Sequence, residues 1–244
     1  MRTVSVKYIA SCSFGKDSLA MVLRLVEDNY PLDEVVYYNT GAEFKAIEGN
    51  KDKIKVLLKA KNILFTELKP EKDFFYTMLE KPVVKRDGTK QNGYKWCGGL
   101  CRWGTTEKLR AINNNYRKYG SEVVVEYVGI ALDEQERIAR ERVKRQKDRI
   151  KLYPLAEWGM READCLSYCC EKGFDWNENG VELYEVLDRV SCWCCRNKNL
   201  KELKNIYKFL PGYWEKLKVL QGKIDIPFKT GKSIFDLEER FKGE

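Results

Sequence analysis

Val4-Ser5-Val6-Lys7-Tyr8-Ile9-Ala10-Ser11-Cys12-Ser13-Phe14-Gly15-Lys16-Asp17-Ser18-Leu19-Ala20-Met21-Val22-Leu23-Arg24-Leu25-Val26 passes from one periodicity to another across a short polar turn. Residues 4–12 have the apolar content of a strand. Leu19, Val22, Leu23 and Val26 recur at i, i+3, i+4 and i+7, the stripe of an amphipathic helix that Pro31 brings to a close. The turn between them aims backbone N–H groups and the positive end of a helix dipole at an anion. Lys16 adds a point charge, the Ser13 and Ser18 hydroxyls add donors, and Gly15 allows close backbone approach or a positive φ. Asp17 either caps the helix or holds a magnesium ion. Composition alone also allows an ordinary strand-to-helix turn in which Ser and Asp are simply caps.

Outward from this turn, residues 34–39 form a second apolar run, followed by a helical segment with Ile47, Ile54, Leu57 and Leu58 and a third strand at 63–68. Residues 122–130, with Val123-Val124-Val125 unbroken, read as a strand buried on both faces, and 150–155 as another. Strand-helix alternation of this kind predicts an α/β fold with a mainly parallel, doubly wound sheet and a ligand beyond the carboxyl ends of its strands. Residues 81–95, polar and basic with Gly88 and Gly93, read as a mobile loop. Residues 134–149 alternate in charge and read as a solvated helix, with a basic contact surface as the alternative. From Arg161 onward the segments are short, helical and cysteine-rich, ending in residues 211–221 and a helix near 233–241. The expected organisation is an α/β domain over residues 1–160 and a small helical, cysteine-rich region packed on it over 161–244.

A chain of 244 residues with 43% hydrophobic content can bury a sizeable core. No stretch approaches the roughly 18 consecutive apolar residues of a membrane span, and the N-terminus enters a strand pattern instead of a signal-peptide core, so a reducing cytosol is expected. In that compartment the nine cysteines are metal ligands, catalysts or core residues rather than disulfides. The chain has no histidine, which removes Ser-His-Asp and Cys-His catalysis and His-containing zinc sites. A net charge of +8, from 45 basic and 37 acidic side chains, suits anionic nucleotides and permits RNA or DNA.

Cys192-x-x-Cys195 has the spacing at which two thiolates converge on one ion from a tight turn, and Cys194 adds a third thiol. By spacing, the other half-site comes either from Cys97 and Cys101 or from Cys165, Cys169 and Cys170. Four thiolates suit zinc as well as iron–sulfur. Cys165 and Cys169, at i and i+4 of a helical segment, also read as buried core thiols, and Cys97 with Cys101 as a redox dithiol. Competing nucleotide motifs fail: Gly231-Lys232-Ser233 has the tail of a Walker A loop, but Ile226 stands where its first glycine is required, and no G-x-G-x-x-G exists.

Ser13-Phe14-Gly15-Lys16-Asp17-Ser18 resembles the Ser-Gly-Gly-x-Asp-Ser signature of the PP-loop adenine-nucleotide α-hydrolases, with Phe14 in place of the first glycine. Further segments resemble the phosphoadenosine-phosphosulfate (PAPS) reductase-like branch, which includes DNA-phosphorothioation enzymes. Tyr38-Asn39-Thr40-Gly41-Ala42-Glu43-Phe44 is similar to its Asp-Thr-Gly turn, with Asn39 for the aspartate. Val128-Gly129-Ile130 followed by Arg137 and Arg140 is similar to its Gly-Ile-Arg region. Tyr153-Pro154-Leu155-Ala156-Glu157-Trp158 is similar to its Pro-Leu-x-x-Trp segment, and Arg189 through Cys195 to its Arg-x-Gly-Cys-x-x-Cys segment.

The resemblance implies the adenine-nucleotide α-hydrolase-like fold and a nucleotide site of Ser11, Ser13, Phe14, Gly15, Lys16, Asp17, Ser18, Thr40 and Gly41, with Arg137 or Arg140 on the phosphates. Lys16, Asp17 and Ser18 take the catalytic roles. In iron–sulfur members an upstream cysteine pair joins the Cys-x-x-Cys around a [4Fe–4S] cluster; here Trp96 replaces one of that pair, and Cys97, Cys101, Cys192 and Cys195 form the expected set, with Zn2+ as the alternative metal. The implied activity is cleavage of ATP to AMP and pyrophosphate, with Mg2+, for sulfur transfer to a tRNA, DNA or small-molecule acceptor. A sulfur donor or thiol-reductant protein would be a partner. The alternatives are a reductase of adenylyl sulfate or PAPS, and a non-catalytic nucleotide- or nucleic-acid-binding module. Reductases of this type resemble one another in a cysteine near the C-terminus, and residues 222–244 contain none.

Overall fold

A computed structural model describes residues 5–143 and 149–244. Val4, the start of the expected first strand, and residues 144–148 of the charged run lie outside the described residues. In chain order the elements are β1 (Val6–Ser11), α1 (Lys16–Glu27), β2 (Glu34–Tyr38), α2 (Lys45–Ala60), β3 (Leu64–Leu68), α3 (Phe74–Leu79), β4 (Pro82–Val84), β5 (Lys90–Asn92), α4 (Lys108–Tyr116) and β6 (Val123–Val128). There follow α5 (Gln135–Val143), β7 (Arg149–Leu152), α6 (Pro154–Glu157), α7 (Glu162–Glu171), β8 (Asn177–Glu178), β9 (Val181–Glu182), α8 (Leu183–Val186), α9 (Leu200–Phe209), α10 (Pro211–Lys223) and α11 (Ile234–Lys242).

The chain divides into two compact units, each assembled from separated segments. The first holds the chain through Asn39, Lys45–Lys69 and Leu109–Trp176. Its five strands, in the order β3-β2-β1-β6-β7, are all parallel, the sheet the strand-helix alternation predicts. Connections run outward in opposite directions from β1, so the switch point lies at β1 and β6, where such sheets bind ligands beyond their carboxyl ends. The five residues of β2 are all buried, which explains a sequence of Glu34 followed by two valines and two tyrosines without polar alternation. Ile9, Val36 and Val124 pack with Ile112 and Tyr116 of α4. Leu19, Val22, Leu23 and Val26 of α1 are buried as their spacing predicts. Asn29, at φ 54°, ends this helix in the left-handed conformation, with the Tyr30 N–H returning to the Leu25 carbonyl at 2.9 Å, before Pro31.

Glu34 is a fully buried carboxylate at the start of β2. It accepts from Thr66 (2.5 Å), Tyr119 (2.5 Å) and Lys118 (2.6 Å). Burial pushes its pKa up, but these donors outweigh burial and hold it below the usual carboxylate value.

The second unit holds Thr40–Phe44, Pro70–Lys108 and Asn177–Glu244. Residues 81–95, expected as a loop, contain an antiparallel hairpin in which Pro82, Val83 and Val84 pair with Asn92, Gln91 and Lys90. Gly93 (φ 67°) closes its base against α3: a Cβ there would lie 2.0 Å from the Met78 carbonyl oxygen. The C-terminal helices start from side-chain caps, Asn199 with Glu202 for α9 and Ser233 with Asp236 for α11. Trp214 packs against Tyr207 and Phe241, with ring centroids 5.5 and 5.8 Å away.

Candidate functional site

In the first unit, residues 12–15 turn from β1 into α1 with Gly15 as the N-cap residue, and among the described residues no side chain caps the helix. The turn is shaped by its own serines: the Ser13 N–H donates to Ser18 Oγ at 3.0 Å, the two hydroxyls lie 3.1 Å apart, and Ser18 Oγ donates to the Gly15 carbonyl at 3.2 Å. Phe14 adopts φ 58°, the left-handed region in which the family signature has glycine. Its ring is fully buried, edge-on to Tyr37 at 4.9 Å, and its carbonyl accepts from the Trp176 indole N–H at 2.8 Å. Packing and this hydrogen bond therefore hold a conformation that a bulky residue disfavours. Behind the turn, a Cβ on Gly129, just past β6, would approach Ser18 Cα to 2.7 Å, so only glycine lets the two backbones pass this closely.

Lys16 is buried, bridging the carboxylates of Asp17 (3.1 Å) and Glu162. Burial lowers its pKa, but the hydrogen bond it donates to Glu162 and the charge of Asp17 more than compensate and raise it, so it is a fixed cation. Asp17 is shifted up, by burial first and against the pull of Lys16, with Glu162 and Glu134 adding negative charge. Asp133 accepts from the Glu162 N–H at 3.2 Å. Asp17 and Glu162 are thus joined through Lys16, and the charge of Glu134 acts on Asp17. Sequence reasoning missed Glu162, Glu134 and Asp133, which lie more than a hundred positions from the turn.

The other expected nucleotide residues divide. Arg137 is exposed and donates to Glu134 at 2.8 Å; Arg140 donates to the Glu136 carbonyl at 3.2 Å. Ser11 is turned elsewhere: its hydroxyl donates to buried Glu126 at 2.9 Å, which also accepts from Tyr116 at 3.1 Å, because alternation along β1 points Ser11 into that polar cluster. Asn39 donates to Glu48 (3.0 Å) and Glu67 (2.9 Å), so an amide stands where an aspartate would be a third negative charge. Cys12, Cys165 and Cys169 are buried, and the Cys169 thiol donates to the Lys16 carbonyl at 3.4 Å. Burial pushes Cys165 up to about 12, the behaviour of a core thiol.

Thr40 and Gly41 belong to the second unit. With Ala42 their backbone N–H groups converge on the Glu43 carboxylate at 3.1–3.2 Å, and the Thr40 hydroxyl donates to it at 2.8 Å. Thr40 Oγ1 also lies 3.4 Å from Cys192 Sγ, and the Trp193 N–H donates to the Ala42 carbonyl at 3.0 Å, so the turn is laced to the Cys-x-x-Cys segment. The Cys97-to-Cys101 loop docks on the residues just after Cys195: the Gly99 N–H donates to Asn197 Oδ1 at 2.8 Å and Asn197 Nδ2 to the Gly99 carbonyl at 3.0 Å. Burial pushes Cys192 up to about 12, with Glu43, Cys195 and Cys101 adding to the shift. Cys97 is raised by burial and by Cys101, against Arg102 and Arg196. Trp96 is buried, its ring edge-on to Phe228 at 4.7 Å.

Cys97, Cys101, Cys192 and Cys195 thus share one neighbourhood, and Lys198, Lys229, Arg102 and Arg196 supply positive charge around it. Among the described residues no group of three or more Cys, Asp or Glu side chains is gathered closely enough to hold a metal ion. Burial raises Cys97 and Cys192, so a cation bound there would release their protons, and the neighbouring positive charges would stabilise the thiolates.

The phosphoadenosine phosphosulfate reductase domain matches residues 7–197. An uncharacterized protein of Methanocaldococcus jannaschii is 26% identical over 216 residues, covering 84% of this chain. The chain spans 39% of that relative's length. A solved structure, the U34-tRNA thiolase NcsA from Methanococcus maripaludis with its [4Fe-4S] cluster, is similar over 91% of this chain and 72% of its own, at 15% identity and a TM-score of 0.47. Among the described residues no helix is long and apolar enough to cross a membrane.

Proposed function

This chain belongs to the phosphoadenosine phosphosulfate reductase domain family, and from that premise we propose that it cleaves ATP to AMP and pyrophosphate to activate an acceptor for sulfur transfer. The observation that carries the proposal is the turn at residues 13–18. It is fixed by its own hydrogen bonds, sits at the switch point of a parallel sheet, and leads into a helix without a side-chain cap. Such a turn is a preformed cradle for phosphate oxygens.

In this reading the backbone of residues 13–18 and the two serine hydroxyls hold the pyrophosphate, and Lys16 stabilises charge on it as the α–β bond breaks. An acceptor oxygen takes the adenylyl group, and a sulfur nucleophile then displaces AMP. Asp17, with Glu162 and Glu134 beside it, would hold Mg2+, which supplies charge neutralisation to the phosphates when bound. Cys97, Cys101, Cys192 and Cys195 would hold an iron–sulfur cluster or zinc; a cluster would supply sulfur-binding or redox capacity. Arg137 is a candidate for the far end of the nucleotide once its pair with Glu134 opens.

ATP labelled at the α-phosphorus, incubated with Mg2+, sulfide and candidate acceptors, is expected to yield AMP and pyrophosphate. Lys16→Ala should slow this by about a hundredfold or more. Formation of ADP and phosphate would overturn the proposal, and sulfite release from PAPS or adenylyl sulfate would replace it with reductive chemistry.

A further inference from the structure

Residues 81–102 carry Lys81, Lys85, Arg86, Lys90, Lys95 and Arg102 against Asp87 alone, a balance of six minus one, or +5, in a chain whose whole balance is +8. The β4–β5 hairpin displays much of this charge on a defined frame. Its end is closed by the Lys85 N–H donating to the Thr89 carbonyl at 2.9 Å and the Gly88 N–H to the Lys85 carbonyl at 3.0 Å, and Lys90 faces Val84 across the ladder. Among the described residues Lys95, with Asp225, is the only one of the six in an ion pair. Several lysines elsewhere on the surface are paired, as in Lys172 with Glu27, Lys204 with Glu244 and Lys218 with Glu238. At the hairpin base the Arg102 guanidinium lies over the Tyr94 ring at 3.8 Å, with the Lys81 ammonium 5.3 Å from the same ring.

We propose that this hairpin, with Tyr94 and Arg102, is a docking surface for the phosphate backbone of a nucleic acid. Unmatched cations of one sign on an exposed frame create the field that attracts a polyanion. Lysines, an arginine and the neighbouring Asn92 and Thr89 are donors to phosphate oxygens, and an arginine already stacked on an aromatic ring offers a flat surface to an unpaired base. An anionic membrane fits less well, since the hairpin itself exposes a single large apolar side chain, Val84. The surface is independent of the phosphate turn, so pyrophosphate release and polymer binding can fail separately.

The test is fluorescence anisotropy of the whole chain with bulk transfer RNA and with a short single-stranded DNA oligonucleotide, over about 50–200 mM salt. Wild type should bind at least one of them, with affinity falling steeply as salt rises. Joint replacement Lys85→Gln, Arg86→Gln and Lys90→Gln should weaken binding at least about tenfold and reduce the salt slope by about 2 to 3. Lys55→Gln, Lys59→Gln and Lys61→Gln on and after α2, which remove the same charge from another exposed region, should leave it nearly unchanged. Equal losses in the two variants, wild-type binding by the hairpin variant, or binding only to phosphatidylserine vesicles would overturn the proposal. Unfolding curves of both variants check that the fold is retained.

Discussion

The turn at residues 13–18 of the first unit and the cysteine neighbourhood of the second each carry an aromatic residue where the resemblance implies another, with different consequences. At Phe14 the aromatic takes over a glycine's backbone conformation and the turn keeps its shape, because what a phosphate site needs is main-chain direction and a buried ring can enforce it. At Trp96, where the resemblance to iron–sulfur members implies a cysteine, the indole packs on Phe228, so a ligand there would have to come from another residue if the site is to close. Sites made of backbone tolerate side-chain replacement; sites made of side chains do not. The first region is shaped by its own hydrogen bonds, whereas among the described residues the four thiols of the second are not gathered closely enough to hold an ion.

The contrast breaks most sharply at Phe14. Phe14→Ala should destabilise the chain by about 3–5 kcal/mol, read as a drop in the denaturant midpoint, since it empties a fully buried site. A loss below about 1 kcal/mol would mean that the ring does not hold the turn. Trp96→Cys introduces the residue the resemblance implies but should still lose about 3 kcal/mol of stability, measured in the same way, without raising metal content. A stabler variant with added iron or zinc would show that position 96 is a ligand site.

Glu34→Gln should cost about 2 kcal/mol near neutral pH by weakening charge-assisted hydrogen bonds. Because the folded pKa of Glu34 is depressed, its contribution is present above the ordinary carboxylate value and is lost as pH falls through the depressed one. Wild type and variant should therefore converge in acid denaturation curves. The smallest effect has the opposite sign: Asp17 is shifted up, so its ionisation opposes folding as pH rises above the ordinary carboxylate value, and Asp17→Asn should gain about 1 kcal/mol or less near neutral pH. The same variant should lose ATP turnover, a trade of stability for function confined to the phosphate turn.

Much of the first unit was legible in the sequence because its signals are local. The helix stripe at Leu19, Val22, Leu23 and Val26 and the Val123-Val124-Val125 run are statements about neighbours, and the parallel sheet follows from them. The hairpin at residues 81–95 was not legible: its strands are three residues long, and Lys90, Gln91 and Asn92 have low strand propensity. Glu162 on Lys16, Trp176 on the Phe14 carbonyl and Glu126 on Ser11 were hidden for another reason, since each joins residues far apart in sequence. The cysteine spacing pointed to Cys192 and Cys195, but that Asn197 ties the Cys97-to-Cys101 loop to the same segment could only be read from the fold.

The central claim is that the turn at residues 13–18 binds nucleotide phosphates through a frame that does not need the cysteines. Calorimetric titration of ATP with Mg2+ tests it in three proteins: wild type, Ser13→Ala with Ser18→Ala, and a variant with Cys97, Cys101, Cys192 and Cys195 each replaced by serine. The expected result is an affinity lowered about tenfold or more in the double serine variant and unchanged within about twofold in the cysteine variant. Undiminished binding in the serine variant, or loss of binding only in the cysteine variant, would contradict the account.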